Sequence, residues 1–305
     1  MSVDLSPTAA AVEPAPEPVR TPSPDRRRSR ARQARRGRTT RLLVLAVVTT
    51  ALIFPVYWIV ATSLKSSSQL GQGSMVWLPL PPHVENFVHA VTAIPFAAYL
   101  GNSLFLSTVS GVLTTLSSAF VGYGFARLQG PGKKVLFGVL IAMMMMPGIV
   151  TLIPIYLLFS RVGLVGTYWP WVLWGLSGAP YLIFLYRQFF AGIPKELEEA
   201  AILDGCSQFR IFAQIFLPLS KPVLVTAFVM SFLAVWGDFI APNLLLDREH
   251  TTLAVAISSG YVNAQGFPLN NLIAAGSVLY VVPVVVIFLF VQRHYVQGFT
   301  ASGIK

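Results

Sequence analysis

Six apolar runs decide what this chain can fold into. The first, Leu42 to Leu64, holds 23 residues without a charge, and about 20 apolar residues let a helix cross the hydrocarbon of a bilayer. Five more follow near Tyr99–Phe125, Val135–Phe159, Thr167–Phe190, Pro222–Ile240 and Asn271–Val291. A strand edge in lipid leaves backbone groups unpaired, so runs of this kind fold as helices. The expected fold class is all-α, a polytopic membrane protein with six transmembrane helices. Composition agrees: 11% of the residues are charged, against about a quarter in a soluble domain.

The net charge of +10 is unevenly placed, with ten arginines between Arg20 and Arg41. Residues 1–40 are rich in Pro, Ala, Ser and Arg and poor in large apolar side chains, so they are expected to form a disordered tail ahead of a membrane domain at 41–305. Nucleic acid is an unsuitable partner, because the basic segment has no aromatic residue for base stacking and runs straight into the first span. The arginines set topology, with contact to anionic membrane lipid as a secondary role. With the N-terminus in the cytoplasm, six spans put 19 Lys and Arg residues inside and three (Lys65, Arg161 and Arg248) outside. Both termini and the loop at 191–221 are then cytoplasmic.

That loop is a charged island between apolar spans. Pro194 suits a first helical position, and Glu196, Glu198 and Glu199 place carboxylates in the first turns, where the helix dipole favours them. Ile193, Leu197, Ala200 and Ala201 share a face by helical spacing, with Ile202 on the far side. Gly205 breaks the helix. Ser207 can cap a second helix, whose Phe209, Phe212, Ala213 and Phe216 recur at i, i+3, i+4 and i+7 before Pro218 stops it. Cys206, the lone cysteine, excludes an intrachain disulfide and reads as a small packing residue.

Glu199-Ala200-Ala201, then Gly205 after three residues, then Ile215-x-Leu217-Pro218 after nine, is similar to the EAA loop of binding-protein-dependent ABC importer permeases. Further stretches narrow the resemblance: Tyr123-Gly-Phe-Ala-Arg127, Trp236-Gly-Asp-Phe239, and the C-terminal Gln292-Arg293 followed by Gly298-x-Thr300 and Lys305. Together, over residues 42–305, they resemble the MalG-like second permease of maltose-type carbohydrate importers. Gly237 departs from that pattern, which usually has a polar residue between the tryptophan and the acid. The resemblance implies a subunit in a prokaryotic cell (inner) membrane that moves a sugar or oligosaccharide by ATP-driven alternating access. It implies three partners: a second permease, a pair of ATPase subunits and an extracytoplasmic sugar-binding protein. It also implies that Glu199, Ala200, Ala201 and Gly205 dock on the ATPase, with Glu199 paired to a basic residue there. The stretch from Asn243 to Asn270 would reach toward the binding protein.

Other residues bear on mechanism directly. Ser107, Gly111, Thr115, Ser118 and Gly122 put small side chains on one face of the second span, suited to close helix packing. Pro147 and Pro154 are expected to bend or open the third span, and Met143 to Met146 supply adaptable packing. Asp238 is the acidic residue nearest membrane depth, a candidate for the substrate pathway or a helix cap at the outer interface. Gly130-Pro-Gly-Lys-Lys134 lacks the spacing and the hydroxyl of a phosphate loop. The four histidines have no metal-ligand spacing. The chain is therefore expected to be no enzyme, to carry no cofactor or metal, and to borrow energy from a partner. The competing readings are an ABC permease for a non-sugar solute, an ion-driven secondary transporter, which needs more intramembrane ionisable groups than Asp238, and a scaffold.

Overall fold

A computed structural model describes the backbone of residues 24–71 and 76–302 and the side chains of residues 41–71 and 76–292. The chain divides into two units, residues 1–56 and 57–305. Most of α1 (Pro24–Ser63) belongs to the first. This helix starts inside the tail that composition marks as unfolded to residue 40. Alanine and arginine are good helix formers, and the apolar run beyond Arg41 continues the same helix without a break. Residues 1–23 of the tail lie outside the described residues. From Leu42 to Phe54 the large apolar side chains of α1 are exposed.

The second unit contains α2 (Ser67–Gly71), α3 (Glu85–Ala93), α4 (Phe96–Arg127), α5 (Lys133–Met144), α6 (Gly148–Arg161), α7 (Trp169–Ser177) and α8 (Pro180–Ala191). It continues with α9 (Lys195–Leu203), α10 (Gln208–Ile211), a π-helical turn (Phe212–Phe216), α11 (Leu217–Leu219), α12 (Lys221–Trp236), α13 (Ile240–Leu245), α14 (Leu253–Gly260) and α15 (Asn270–Ser302). No strand occurs among the described residues, only an isolated bridge between Val262 and Pro268.

The central element is α4. Its Ser107, Gly111, Thr115, Ser118 and Gly122 are all buried, as small residues must be where two helices approach closely. A methyl group at Gly122 would stand 2.6 Å from Tyr186 Cβ on α8, and one at Gly111 would stand 3.2 Å from Phe228 on α12. Helix α12 runs antiparallel to α4, so that Phe228 meets Gly111 while Phe216, just ahead of α12, meets the Tyr123 ring edge-on at 5.0 Å.

Among the described residues, not every expected span is a single continuous helix. Three helical stretches are long and apolar enough to cross a membrane among the described residues: Arg41–Ser63, Phe96–Arg127 and Asn270–Gln292. The third expected span is split into α5 and α6, which meet at 102°. The break falls at Pro147, while Pro154 sits inside a continuous α6. The fourth is split into α7 and α8 at Gly178, whose φ of 73° is open to glycine, with Pro180 starting the next helix. Both halves follow α4 in turn: Gly175 lies against Leu113, and Tyr186 against Gly122. The polar groups freed by this break find partners on α4. Ser117 Oγ donates to Gly175 O at 2.6 Å, and Ala179 N donates to Ser118 Oγ at 3.0 Å. A broken helix in an apolar setting survives only with such substitutes. The fifth span, α12, has 16 residues and follows α11 through an 82° bend.

Buried side chains form three clusters. One, around Tyr123, Tyr186, Phe190, Phe212 and Phe216, joins α4, α8, the π turn and α12. A second joins α3, α14 and α15 around Tyr261. A third joins α4, α6, α7 and α13 around Phe159 and Trp171. The stretch from Asn243 to Asn270 is therefore no free arm: α14 within it is folded in, with Leu253 fully buried.

Candidate functional site

The elbow between α8 and α12 is built from two closures. At the end of α9, Cys206 N donates to Ala201 O at 2.9 Å and Gly205 N donates to Ile202 O at 3.0 Å. With Gly205 at φ 76°, this is the paired 6→1 and 5→2 termination that stops a helix on a left-handed residue. Ser207 then caps α10, its Oγ accepting from Arg210 N at 3.4 Å. The elbow thus turns sharply in the four residues from Asp204 to Ser207.

Arg127, the last residue of α4, fastens the elbow to the helices. Its Nη2 donates to Phe190 O at 2.7 Å and also to Ile193 O. These carbonyls, at and beyond the end of α8, have no continuing helix to receive them. Nη1 lies 3.6 Å from Glu198 Oε2 on α9, and the guanidinium sits 5.0 Å from the centre of the Phe216 ring. The side chains of Arg127 and Glu198 are 5% and 14% exposed. Beside them, Tyr123 OH donates to Gln208 Oε1 at 2.7 Å, joining α4 to the elbow's second helix. One guanidinium therefore links α4, α8, α9 and the π turn. The Tyr123–Arg127 stretch carries family resemblance in the sequence, but its contact with Glu198 has no short-range signal.

The four sequence-derived docking residues separate into two groups. Glu199, Ala200 and Gly205 are exposed, and Ala201 is buried against the aromatic cluster. The apolar face of α9 is only partly buried: Ala201 is buried, Leu197 and Ala200 are exposed, and Ile202 is exposed on the far side as its spacing predicts. Leu203 is exposed at 88%, and so is Phe209 at 68%. Phe212 and Phe216 are buried as expected, but the π turn adds a residue to the helical register there, and Phe209 falls outside the buried face. Glu198, not Glu199, holds the intramolecular ion pair.

Asp238 lies apart from the elbow, in the bend between α12 and α13. Its Oδ1 accepts from Ile240 N at 3.0 Å and Ala241 N at 3.3 Å. It therefore caps the start of α13 and does not close the end of α12, while its side chain also lines a cavity between α6, α7 and α13.

Comparison with known proteins gives a consistent result. Residues 114–300 match the family model described as binding-protein-dependent transport system inner membrane component. The chain is 33% identical to the maltose/maltodextrin transport system permease protein MalG of Escherichia coli (strain K12), over 87% of this chain and 95% of that protein. It is 32% identical to the arabinooligosaccharides transport system permease protein AraQ of Halalkalibacterium halodurans, over 83% of this chain and 91% of that one. Among solved structures, it is similar to a chain of a bacterial ABC transporter involved in the import of the acidic polysaccharide alginate. The TM-score is 0.74 at 21% identity, over 86% of this chain and 97% of that chain.

Proposed function

The chain belongs to the family of binding-protein-dependent transport system inner membrane components, as a permease subunit of an ABC importer, and on that premise we propose that its cargo is a sugar or oligosaccharide. The likeness to maltodextrin and arabinooligosaccharide permeases over more than four-fifths of the chain supports that class of cargo. Separate ATPase subunits supply the energy, a second permease completes the pathway, and an extracytoplasmic sugar-binding protein delivers the cargo. Both termini and the elbow face the cytoplasm, a topology supported by the 19-to-3 split of basic residues.

The observation that carries the coupling role is the fixed geometry of the elbow. Gly205 closes α9 so that Glu199, Ala200, Ile202 and Leu203 are presented outward, available to an ATPase cleft. Ala201 and Glu198 face inward and hold the elbow to the bundle. Force applied to α9 then reaches α4 and α8 through Arg127, because a buried, charge-assisted contact with several partners yields less readily than an exposed one. ATP-driven closure of the ATPase pair draws the elbows together and turns the bundle outward to receive cargo, and hydrolysis reverses the motion.

Gly205→Arg forces a bulky side chain onto a left-handed residue and distorts the presented face. In the complex reconstituted with its ATPase, sister permease and binding protein, sugar-stimulated ATP hydrolysis is expected to be lost while the helices still assemble. Undiminished stimulation would remove the elbow from the coupling path.

A further inference from the structure

Two chain breaks, far apart in sequence, open onto one cavity. Helix α5 has 12 residues, so Pro147 stands about 18 Å along the helix from Lys133. Helix α12 has 16 residues, so Gly237 stands about 24 Å from Lys221. Both helices start at the elbow end of the bundle, and a hydrocarbon core is about 30 Å thick. Both breaks therefore fall within the membrane span, in its half away from the elbow. Between them lies a cavity of ≈ 380 Å³, lined by Gly148, Thr151, Ile155, Trp174, Asp238 and Ala241 among others. That is the size range of small-molecule sites, which combine apolar walls with a few convergent polar groups.

Three groups in this cavity suit one kind of ligand. Asp238 uses Oδ1 to cap α13, and no protein donor reaches its Oδ2 among the described residues. Trp174 meets Phe159 and Trp171 edge-on, each at 5.6 Å, and its indole N–H has no protein acceptor among them. An unpaired carboxylate oxygen at membrane depth is costly unless it faces water or a polar cargo. The cavity thus offers a free acceptor, a free donor and an aromatic wall. A pyranose or furanose presents the complement, with hydroxyls around its edge and C–H groups on its faces. A carboxylate-bearing sugar would meet the charge of Asp238 at close range and be rejected.

We propose that the cavity between the α5–α6 and α12–α13 breaks is a transit site for a neutral sugar, with Asp238 accepting from a hydroxyl and Trp174 forming the wall. This rests on the sugar-importer reading and narrows it, since the solved structure similar in fold belongs to an importer of an acidic polysaccharide. The test uses the whole complex in proteoliposomes with ATP, and maltose, arabinotriose and an alginate disaccharide as probes. Thr151→Cys in a Cys206→Ser background places a thiol in the cavity, and its modification by a water-soluble methanethiosulfonate is followed by mass spectrometry of this chain. Modification is expected to proceed during turnover and to be slowed by whichever neutral sugar stimulates hydrolysis, but not by the acidic disaccharide. A thiol that is never modified, or is modified equally with and without that sugar, overturns the proposal and leaves the sugar importer intact.

Asp238→Asn provides the second measurement. It keeps a capping oxygen and replaces the free acceptor with a donor, so the KM for neutral-sugar uptake is expected to rise about tenfold, with the acidic disaccharide gaining relative to it. Trp174→Phe, which keeps a ring and removes the N–H, is expected to change the preference between maltose and arabinotriose. Unchanged KM and preference in both variants, at wild-type levels of assembled complex, would overturn the site. If neither neutral sugar stimulates hydrolysis or enters the vesicles in the wild type, the sugar reading itself fails and takes this proposal with it.

Discussion

The two ends of α4 are held by different chemistry. At the elbow end a single buried cation, Arg127, binds two carbonyls, a carboxylate and an aromatic ring. At the far end the contacts are neutral. Asn102 Nδ2 donates to Glu249 O and Thr251 O at 3.1 Å each, and Ser103 Oγ accepts from Leu253 N at 2.8 Å. Charge-assisted hydrogen bonds are roughly twice as strong as neutral ones, and breaking a buried pair strands the partner. One end fastens α9 and α8 to α4 through one shared cation. The other fixes a folded segment with contacts that can be exchanged one at a time.

The sharpest way to break this comparison is Arg127→Ala. It leaves Glu198 facing the bundle without its partner and takes the guanidinium donor away from Phe190 O and Ile193 O, at a cost of about 3–5 kcal/mol. The complex is expected to lose sugar-stimulated hydrolysis and to melt earlier, by light scattering in detergent. Arg127→Lys keeps the charge but not the fork, and is expected to recover only part of both. If Arg127→Ala melts and hydrolyses like wild type, the elbow is not held through this residue. Gly122→Ala ranks next. Its methyl group would stand 2.6 Å from Tyr186 Cβ and 3.1 Å from Ile183 O, so α4 and α8 must separate, at about 1–3 kcal/mol. Gly124→Ala, whose methyl group would meet only Leu128 at 4.0 Å, is the matched control and is expected to be nearly silent.

The same contrast marks what the sequence discloses. The apolar runs specify an all-helical chain because lipid leaves the backbone no alternative. The small residues of α4 specify its crowded face, and the Gly205 closure follows from a helix that must stop at once. Less visible is how each apolar run divides. Thr167–Phe190 looks continuous by hydropathy, yet Gly178 and Pro180 cut it, and the cut is tolerable only because Ser117 and Ser118 on another helix supply the missing partners. Three glutamates begin α9, and spacing does not say that Glu198 is the one turned toward Arg127. Ala201 is inward for the same reason: the tilt of α9 is set by that ion pair and the aromatic cluster, both long-range contacts. Asp238 is conspicuous in sequence, but its cavity exists only where two breaks meet.

The far end of α4 offers smaller effects. Asn102→Ala removes a donor shared by two carbonyls and is expected to cost about 1–2 kcal/mol, read as earlier melting with hydrolysis still coupled. Uncoupling by this variant would mean that both ends carry load and that the contrast drawn above is false.

The smallest effect belongs to the turn that α4 holds there. Asp247 is exposed, and its Oδ1 accepts from His250 N at 2.9 Å and Glu249 N at 3.1 Å and pairs with His250 Nδ1 at 2.8 Å. The backbone bond from His250, then its side chain, holds the Asp247 carboxyl below the usual carboxylate range. A carboxyl with a lowered folded pKa stabilises the fold above its unfolded pKa, about 3.9, and that contribution disappears as pH falls through the lowered value. Protection of the 247–253 amides against hydrogen exchange, corrected for the intrinsic pH dependence, is therefore expected to fall below about pH 4 in the wild type. In Asp247→Asn it is expected to be weaker at neutral pH and flat across that range. Equal slopes in the two proteins would mean that the neutral bonds from Asn102 and Ser103 fix this segment unaided. That would widen the difference between the ends of α4, because no charge would then contribute at the far one.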